Sequence, residues 1–230
     1  MPSDSLLVGV LTIALLVLSL ALHEAAHALV AHWRGDDTAK DLGRITLNPI
    51  KSIDPFLTII LPALLFFVLP RILGTPPLIF GGAKPVPVVV SNLKHPYRDM
   101  MWVALAGPAS NFVLAFVGMA ALKYLRVSDV IVEQGTAHQV LAGFVYFNVL
   151  LTVFNLVPIP PLDGSRVMTW LLPDRLRGVY LALTPLGFPL IIALVFFIPG
   201  GQELLWSWMF DLYDWIDRVV LAAFQALGVF

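Results

Sequence analysis

The sequence contains no cysteine. Without thiols the chain cannot form disulfide bonds, bind a metal through thiolates or use a cysteine nucleophile. Any metal site in this chain would therefore be built from histidine, aspartate and glutamate side chains.

Charged residues are also scarce. They make up 13% of the 230 residues, and the formal net charge is −1 at neutral pH. A chain with so little charge offers no basic surface for nucleic acid and no acidic tail for a charged partner, so we expect no nucleic-acid partner. Hydrophobic residues instead make up 59% of the chain, and its mean hydropathy is +0.87. This exceeds the apolar share of soluble domains and predicts a multi-pass protein of the cell membrane, with the lipid bilayer as its surroundings.

Long apolar runs predict the membrane helices. A spanning helix needs about 20 apolar residues, and four runs of this kind are present, at 6–31, 100–122, 139–157 and 178–198. A fifth run, 55–73, is interrupted by three prolines, which favours a re-entrant or in-plane segment over an unbroken helix.

Shorter segments complete the predicted fold. Residues 43–48 and 83–90 have patterns typical of short strands. Residues 203–225 are typical of an amphipathic helix at the membrane interface, with a spanning helix packed by its polar face as the alternative. We predict one domain over 1–230 with its core at 6–198. Its fold class is an all-α polytopic membrane protein with four to six transmembrane helices, a small cytoplasmic-side β element and a re-entrant or in-plane segment.

The basic residues predict the orientation. Most of the 14 lysines and arginines lie in the connections after the first run, before the 100–122 run and after the 139–157 run. Short cytoplasmic loops collect such residues, so we expect the amino terminus outside the cell. If the first run and the 139–157 run both end in the cytoplasm, the chain must cross the membrane an even number of times between those two ends. The 55–73 run therefore cannot cross the membrane, and Ser52 and Gly82 should lie on the same side.

Two histidines and a glutamate interrupt the first apolar run. His23 and His27 are four residues apart, which places both on one face of a helix, about 6 Å apart along its axis. Glu24 follows the first histidine, where its carboxylate can act as general base for a water on a zinc ion held by the histidines. The alternative is that these residues only join helices by hydrogen bonds. An ionisable residue at the bilayer centre costs about 2.5–3.5 kcal/mol, which favours the functional interpretation.

A zinc site needs a third protein ligand, and Asp163 is the candidate. It lies in NLVPIPPLDGSR, residues 155–166. The prolines there hold the chain extended, and Gly164 permits a turn that would bring Asp163 back to the first helix. Alone, the pattern is also compatible with an ordinary turn at the membrane surface. Asn111 and Asn148 lie in the predicted membrane runs 100–122 and 139–157; either could orient a site residue, and the sequence supports a simple helix-joining role at least as well.

The two motifs together resemble those of the site-2 proteases, zinc metalloproteases that cut peptide bonds within membranes. His23–His27 matches His-Glu-x-x-His, and residues 155–164 match Asn-x-x-Pro-x-Pro-x-Leu-Asp-Gly. The resemblance implies one zinc ion held by His23, His27 and Asp163, with Glu24 as catalytic base and acid and Asn155 binding the substrate carbonyl or its oxyanion.

The resemblance is to the compact prokaryotic branch without PDZ or CBS domains. It implies a membrane-protein substrate with a transmembrane helix and an active site nearer the cytoplasmic side. The rival function is a non-enzymatic metal transporter or sensor with the same His/His/Asp site, which would have no obvious use for Glu24.

Overall fold

The computed structural model describes residues 2–52 and 84–229, together with residues 54, 60, 68, 71 and 72. This part of the chain is helical. Its α-helices are α1 (Pro2–Arg34), α2 (Thr38–Asp41), α3 (Pro96–Val127), α4 (Thr136–Leu156), α5 (Gly164–Leu171), α6 (Asp174–Leu181), α7 (Gly187–Phe196) and α8 (Gly201–Ala226). Short 3₁₀ turns lie at Pro49–Ser52, Val90–Asn92 and Thr184–Leu186.

Among the residues that the structure describes, three helices are long and apolar enough to cross a membrane. They are Leu7–Arg34 within α1, then α3 and α4, which confirms the first three runs predicted from hydropathy. The chain is therefore a multi-pass membrane protein.

The fourth run, 178–198, is not one helix. It is divided between α6 and α7, which bend by 43° at their junction, so the described residues contain three spans, or four if this pair is one broken span. Pro185 lies in the junction, and its missing amide cannot continue a helix. The described residues thus show three of the predicted four to six spanning helices, or four if the bent pair is one span.

The core of the bundle lies between α3, α4 and α8. Its buried residues are Ala115, Met119, Leu122, Val145, Val149, Met209, Ile216 and Val220. Gly118 of α3 packs so closely on α4 that an added Cβ would lie 2.9 Å from the Phe144 ring. Small residues thus let α3 and α4 approach closely, as expected for helices that pack within a membrane.

Helix α8 packs by its apolar face. Met209, Ile216 and Val220 are buried, whereas Asp211 and Asp214 are exposed. A spanning helix packed by its polar face is therefore not what the structure shows, and α8 is not among the candidate spans.

The predicted β element is wrong. Within 43–48 and 84–90 the structure has no strand, because side chains rather than a neighbouring strand bind the backbone. The Val86 amide donates to Glu24 at 3.0 Å and the Val89 amide donates to Asp36 at 2.7 Å. The Arg44 guanidinium donates to the Lys84 carbonyl at 2.5 Å. We call residues 84–89 the strap, since these contacts tie them to α1 and to the residues that follow it.

The proline-interrupted run 55–73 was predicted to be re-entrant or in-plane. Except for residues 60, 68, 71 and 72 it lies outside the described residues, as does Gly82.

Asp36 fixes the far end of the strap. It is fully buried, and besides Val89 its carboxylate accepts hydrogen bonds from the Thr38 amide and hydroxyl and from Asn92 Nδ2. Burial alone would raise the pKa of Asp36, but the hydrogen bonds from Thr38, Asn92 and Val89 outweigh burial and hold its pKa below the ordinary value.

We expect Asp36→Asn to speed amide hydrogen exchange across residues 84–92, because hydrogen bonds to a charged group contribute about 1.5–3 kcal/mol each. Since the folded pKa is below the unfolded one, ionised Asp36 stabilises this region fully above about pH 4 and progressively less as the pH falls through the folded pKa. Wild-type protection should therefore weaken in acid, while that of Asp36→Asn changes less. Asp37→Asn, at the exposed neighbour, is the matched control, and equal exchange in both variants would contradict the assignment.

Candidate metal centre

The two histidines lie one turn apart in the carboxyl-terminal half of α1. The surrounding Ala25, Ala26 and Ala28 favour a regular helix, which stacks His23 and His27 on adjacent turns. Both are buried, at 5% and 8% exposure. Their Nε2 atoms are 3.0 Å apart, so both nitrogens face the same point.

Asp163 reaches that point from the other end of the chain. It immediately precedes α5, and its Oδ2 atom lies 3.2 Å from His23 Nε2 and 3.3 Å from His27 Nε2. This oxygen is buried and accepts no hydrogen bond within the described structure. A buried carboxylate oxygen without a donor is unfavourable unless a cation compensates it.

The three atoms fit a tetrahedral zinc ion. A zinc site with bonds of about 2.0–2.2 Å has ligand atoms about 3.3–3.6 Å apart. The observed triangle, with sides of 3.0, 3.2 and 3.3 Å, is close to one face of such a tetrahedron. Two imidazoles and one carboxylate are also a donor set that catalytic zinc sites use, with the remaining position open to water or substrate.

Glu24 lies beside this triangle without being part of it. Its Oε2 atom accepts the Val86 amide of the strap, and its carboxylate is close enough to interact electrostatically with His27, His23 and Asp163. The strap therefore passes next to the group that the sequence identifies as the candidate general base.

Asn155 is not joined to these residues by a hydrogen bond in the described structure. Its Nδ2 atom donates to the Leu151 carbonyl of its own helix at 3.0 Å. A role for Asn155 in binding the substrate carbonyl stays a prediction.

The proline-rich arm at 157–163 is held by backbone contacts. A Cβ at Gly164 would lie 2.2 Å from the Leu156 carbonyl oxygen, and one at Gly187 would lie 1.8 Å from that of Pro160. The Tyr180 hydroxyl donates to the Pro158 carbonyl at 2.9 Å. Gly164 begins helix α5 and is not among the residues of positive φ, so close packing rather than the expected turn requires glycine there.

Helix α3 forms the opposite wall of the site. A Cβ at Gly107 would lie 2.4 Å from His27 Nε2 and 2.5 Å from His23 Nε2. On the far side of the rings, His27 Nδ1 faces the Val103 carbonyl at 2.6 Å and His23 Nδ1 faces Asn111 Oδ1 at 2.5 Å. Neither of the two sequence motifs includes Gly107, so its place against the histidines is known only from the structure.

We expect Gly107→Ala to lower zinc affinity by at least about 10-fold, because the new methyl group would occupy the space next to both Nε2 atoms. Mutations of the groups that support metal ligands typically cost about 10–100-fold in affinity. Zinc competition with a chromophoric chelator on the purified chain in detergent measures this. Gly178→Ala, where an added Cβ would meet no neighbouring atom within 4 Å, is the control and should leave zinc affinity unchanged. Wild-type affinity in Gly107→Ala would contradict the assigned site.

The chain matches one protein-family model and several known proteins. The family model described as peptidase family M50 matches residues 127–197, which include the arm and Asp163. The chain is 38% identical over 216 residues to "Putative zinc metalloprotease YwhC" of Bacillus subtilis (strain 168), covering 92% of this chain and 91% of that protein. It is 33% identical over 210 residues to "Putative zinc metalloprotease Rip2" of Mycolicibacterium smegmatis, covering 90% of this chain and 73% of the relative. No solved structure gives a significant match.

Proposed function

Because the chain belongs to peptidase family M50, the site-2 protease family, we propose that it is a zinc-dependent endopeptidase that hydrolyses peptide bonds in or near transmembrane helices of membrane proteins. The observation that carries this proposal is the triangle of His23 Nε2, His27 Nε2 and Asp163 Oδ2 within the helical bundle. A core at 6–198 would act as one membrane-embedded catalytic domain.

One zinc ion would be held by His23, His27 and Asp163. When bound there, zinc supplies Lewis-acid polarisation of the scissile carbonyl and of the attacking water. Such an ion would compensate the buried Oδ2 atom of Asp163, which accepts no hydrogen bond in the described structure, and would use the buried Nε2 lone pairs of the two imidazoles.

Glu24 would transfer the protons. Its carboxylate takes a proton from the attacking water and returns it to the leaving amine, so that the peptide bond breaks into a carboxylate and an amine. The hydrogen bond from the Val86 amide orients this carboxylate beside the ligands. Asn155 would stabilise the developing oxyanion, for which its amide must rotate away from the Leu151 carbonyl.

The substrate must unwind before it can react. A transmembrane helix uses its amides and carbonyls in its own hydrogen bonds, so a scissile bond becomes accessible only where the helix opens. Helix-breaking residues near the cleavage site should therefore favour hydrolysis.

A metal transporter or sensor with the same three ligands is the competing function. Glu24 distinguishes the two, because a carboxylate beside the ligands serves proton transfer and is not needed to hold the ion.

We expect Glu24→Gln to lower cleavage of a transmembrane substrate in proteoliposomes by about 10²–10⁴-fold, the usual contribution of a general base. Zinc content, measured by mass spectrometry, should be unchanged because all three ligands remain. Glu203→Gln, at the exposed start of α8, is the matched control. Unchanged cleavage in Glu24→Gln, or zinc transport by a wild type that cuts no membrane substrate, would overturn the protease assignment.

The orientation proposal places the amino terminus outside and the metal centre nearer the cytoplasm. The Lys94 amide donates to the Arg34 carbonyl at 3.3 Å, so the basic residues after α1 and before α3 lie at the same end of the bundle. His23 is about 16 Å along α1 from Arg34. Positively charged ends face the cytoplasm.

This orientation can be tested on the natural cysteine-free background. In Lys94→Cys, a membrane-impermeant thiol reagent should modify the new thiol only after the cells are opened. In Ser128→Cys, the same reagent should modify the thiol on intact cells. The reverse pattern would place the metal centre near the outer face.

A further inference from the structure

A chain of buried polar side chains leads away from His23 through three helices. Its members are His23 of α1, Asn111 of α3 and Asn148 of α4, and both asparagines are fully buried. Direct contact with the metal ligands does not explain why Asn148 is buried here, since its side chain has no hydrogen bond to any of them in the described structure.

The members of this chain are joined by hydrogen bonds of 2.5–3.0 Å. His23 Nδ1 lies 2.5 Å from Asn111 Oδ1, and Asn111 Nδ2 donates to Asn148 Oδ1 at 2.9 Å. Asn148 Nδ2 in turn donates to the Phe144 carbonyl at 2.8 Å and to Ser19 Oγ at 3.0 Å. Every polar atom of the two carboxamides therefore has a partner.

One backbone carbonyl determines the direction of these hydrogen bonds. The Phe144 carbonyl can only accept, so Asn148 must present its NH₂ group to it and its oxygen to Asn111. Asn111 must then present its NH₂ group to Asn148 and its oxygen to His23. An amide oxygen can only accept, so His23 Nδ1 must carry the proton, and its Nε2 lone pair is left facing His27 and Asp163.

His27 is held in the same tautomer more directly. Its Nδ1 atom faces the Val103 backbone carbonyl at 2.6 Å, which again can only accept. Both imidazoles are thus held with the proton on Nδ1, one by a backbone carbonyl and the other by a carbonyl three hydrogen bonds away.

We propose that Asn148 is a positioning residue that fixes the tautomer of His23 through Asn111. This inference rests on the proposed metal site. Without Asn148 the Asn111 amide is free to rotate, and its NH₂ group can then face His23 Nδ1. The proton of His23 would move to Nε2, where it blocks the lone pair that binds zinc.

The test compares zinc affinity in Asn148→Leu, Thr152→Val and the wild type, each as the full purified chain in detergent. We expect the zinc dissociation constant of Asn148→Leu to rise about 10–100-fold, as for other losses of a ligand's hydrogen-bonding support. Thr152→Val removes a buried hydroxyl that donates to the Asn148 backbone carbonyl at 2.8 Å, one turn along the same helix, and should leave the constant unchanged. An equal rise in both variants, or none in Asn148→Leu, would overturn the proposal.

A second measurement needs no folded variant of Asn148. The ¹⁵N NMR shifts of the side chains of the five histidines, with His23 assigned by its loss in His23→Gln, report which ring nitrogen carries the proton in the metal-free wild type. We expect Nδ1–H for His23, and an Nε2–H ring would overturn the proposal. A wild type whose zinc affinity does not depend on His27 or Asp163 would instead refute the metal site on which the proposal rests.

Discussion

The meeting of two imidazole nitrogens and one carboxylate oxygen inside an apolar bundle is the constraint on which the rest of the structure depends. Both imidazoles and the Oδ2 atom of Asp163 are buried, and such burial is unfavourable without a compensating charge and hydrogen bonds. On the outer side of each ring the protein supplies an acceptor for the Nδ1 proton, namely the Val103 carbonyl for His27 and Asn111 Oδ1 for His23. On the inner side, His23 Nε2, His27 Nε2 and Asp163 Oδ2 face one another at the spacing of ligands of one divalent ion.

Close backbone approach makes this meeting possible. At Gly107 the main chain of α3 lies against both rings, and at Gly164 the start of α5 lies against the last carbonyls of α4. Any side chain at either position would separate elements that must converge to within about 2 Å of one ion. The packing of Tyr180 and Gly187 on the proline-rich arm then keeps Asp163 at its place.

The strap shows a second use of buried and half-buried polar groups. Its prolines leave few amides, and the side chains of Glu24 and Asp36 accept two of those that remain. An extended segment is thereby attached to a helix without a sheet. Glu24 consequently has two partners of different kinds, the metal ligands on one side and the strap on the other.

The sequence by itself determined the membrane class, three spanning helices and the residue types of the site, because hydropathy and four-residue spacing are local properties of the chain. It also identified His23, Glu24, His27 and Asp163 as candidates, and the structure brings the three proposed ligands together although their roles remain proposals. Only the tertiary structure decided that 84–90 is not a strand, that 178–198 bends, that Gly107 borders the metal site and that Asn148 is linked to His23. Each of these depends on which distant backbone atoms meet, for example the Phe144 carbonyl with Asn148 or the Val86 amide with Glu24, and such contacts between separate segments leave no periodic pattern in the chain.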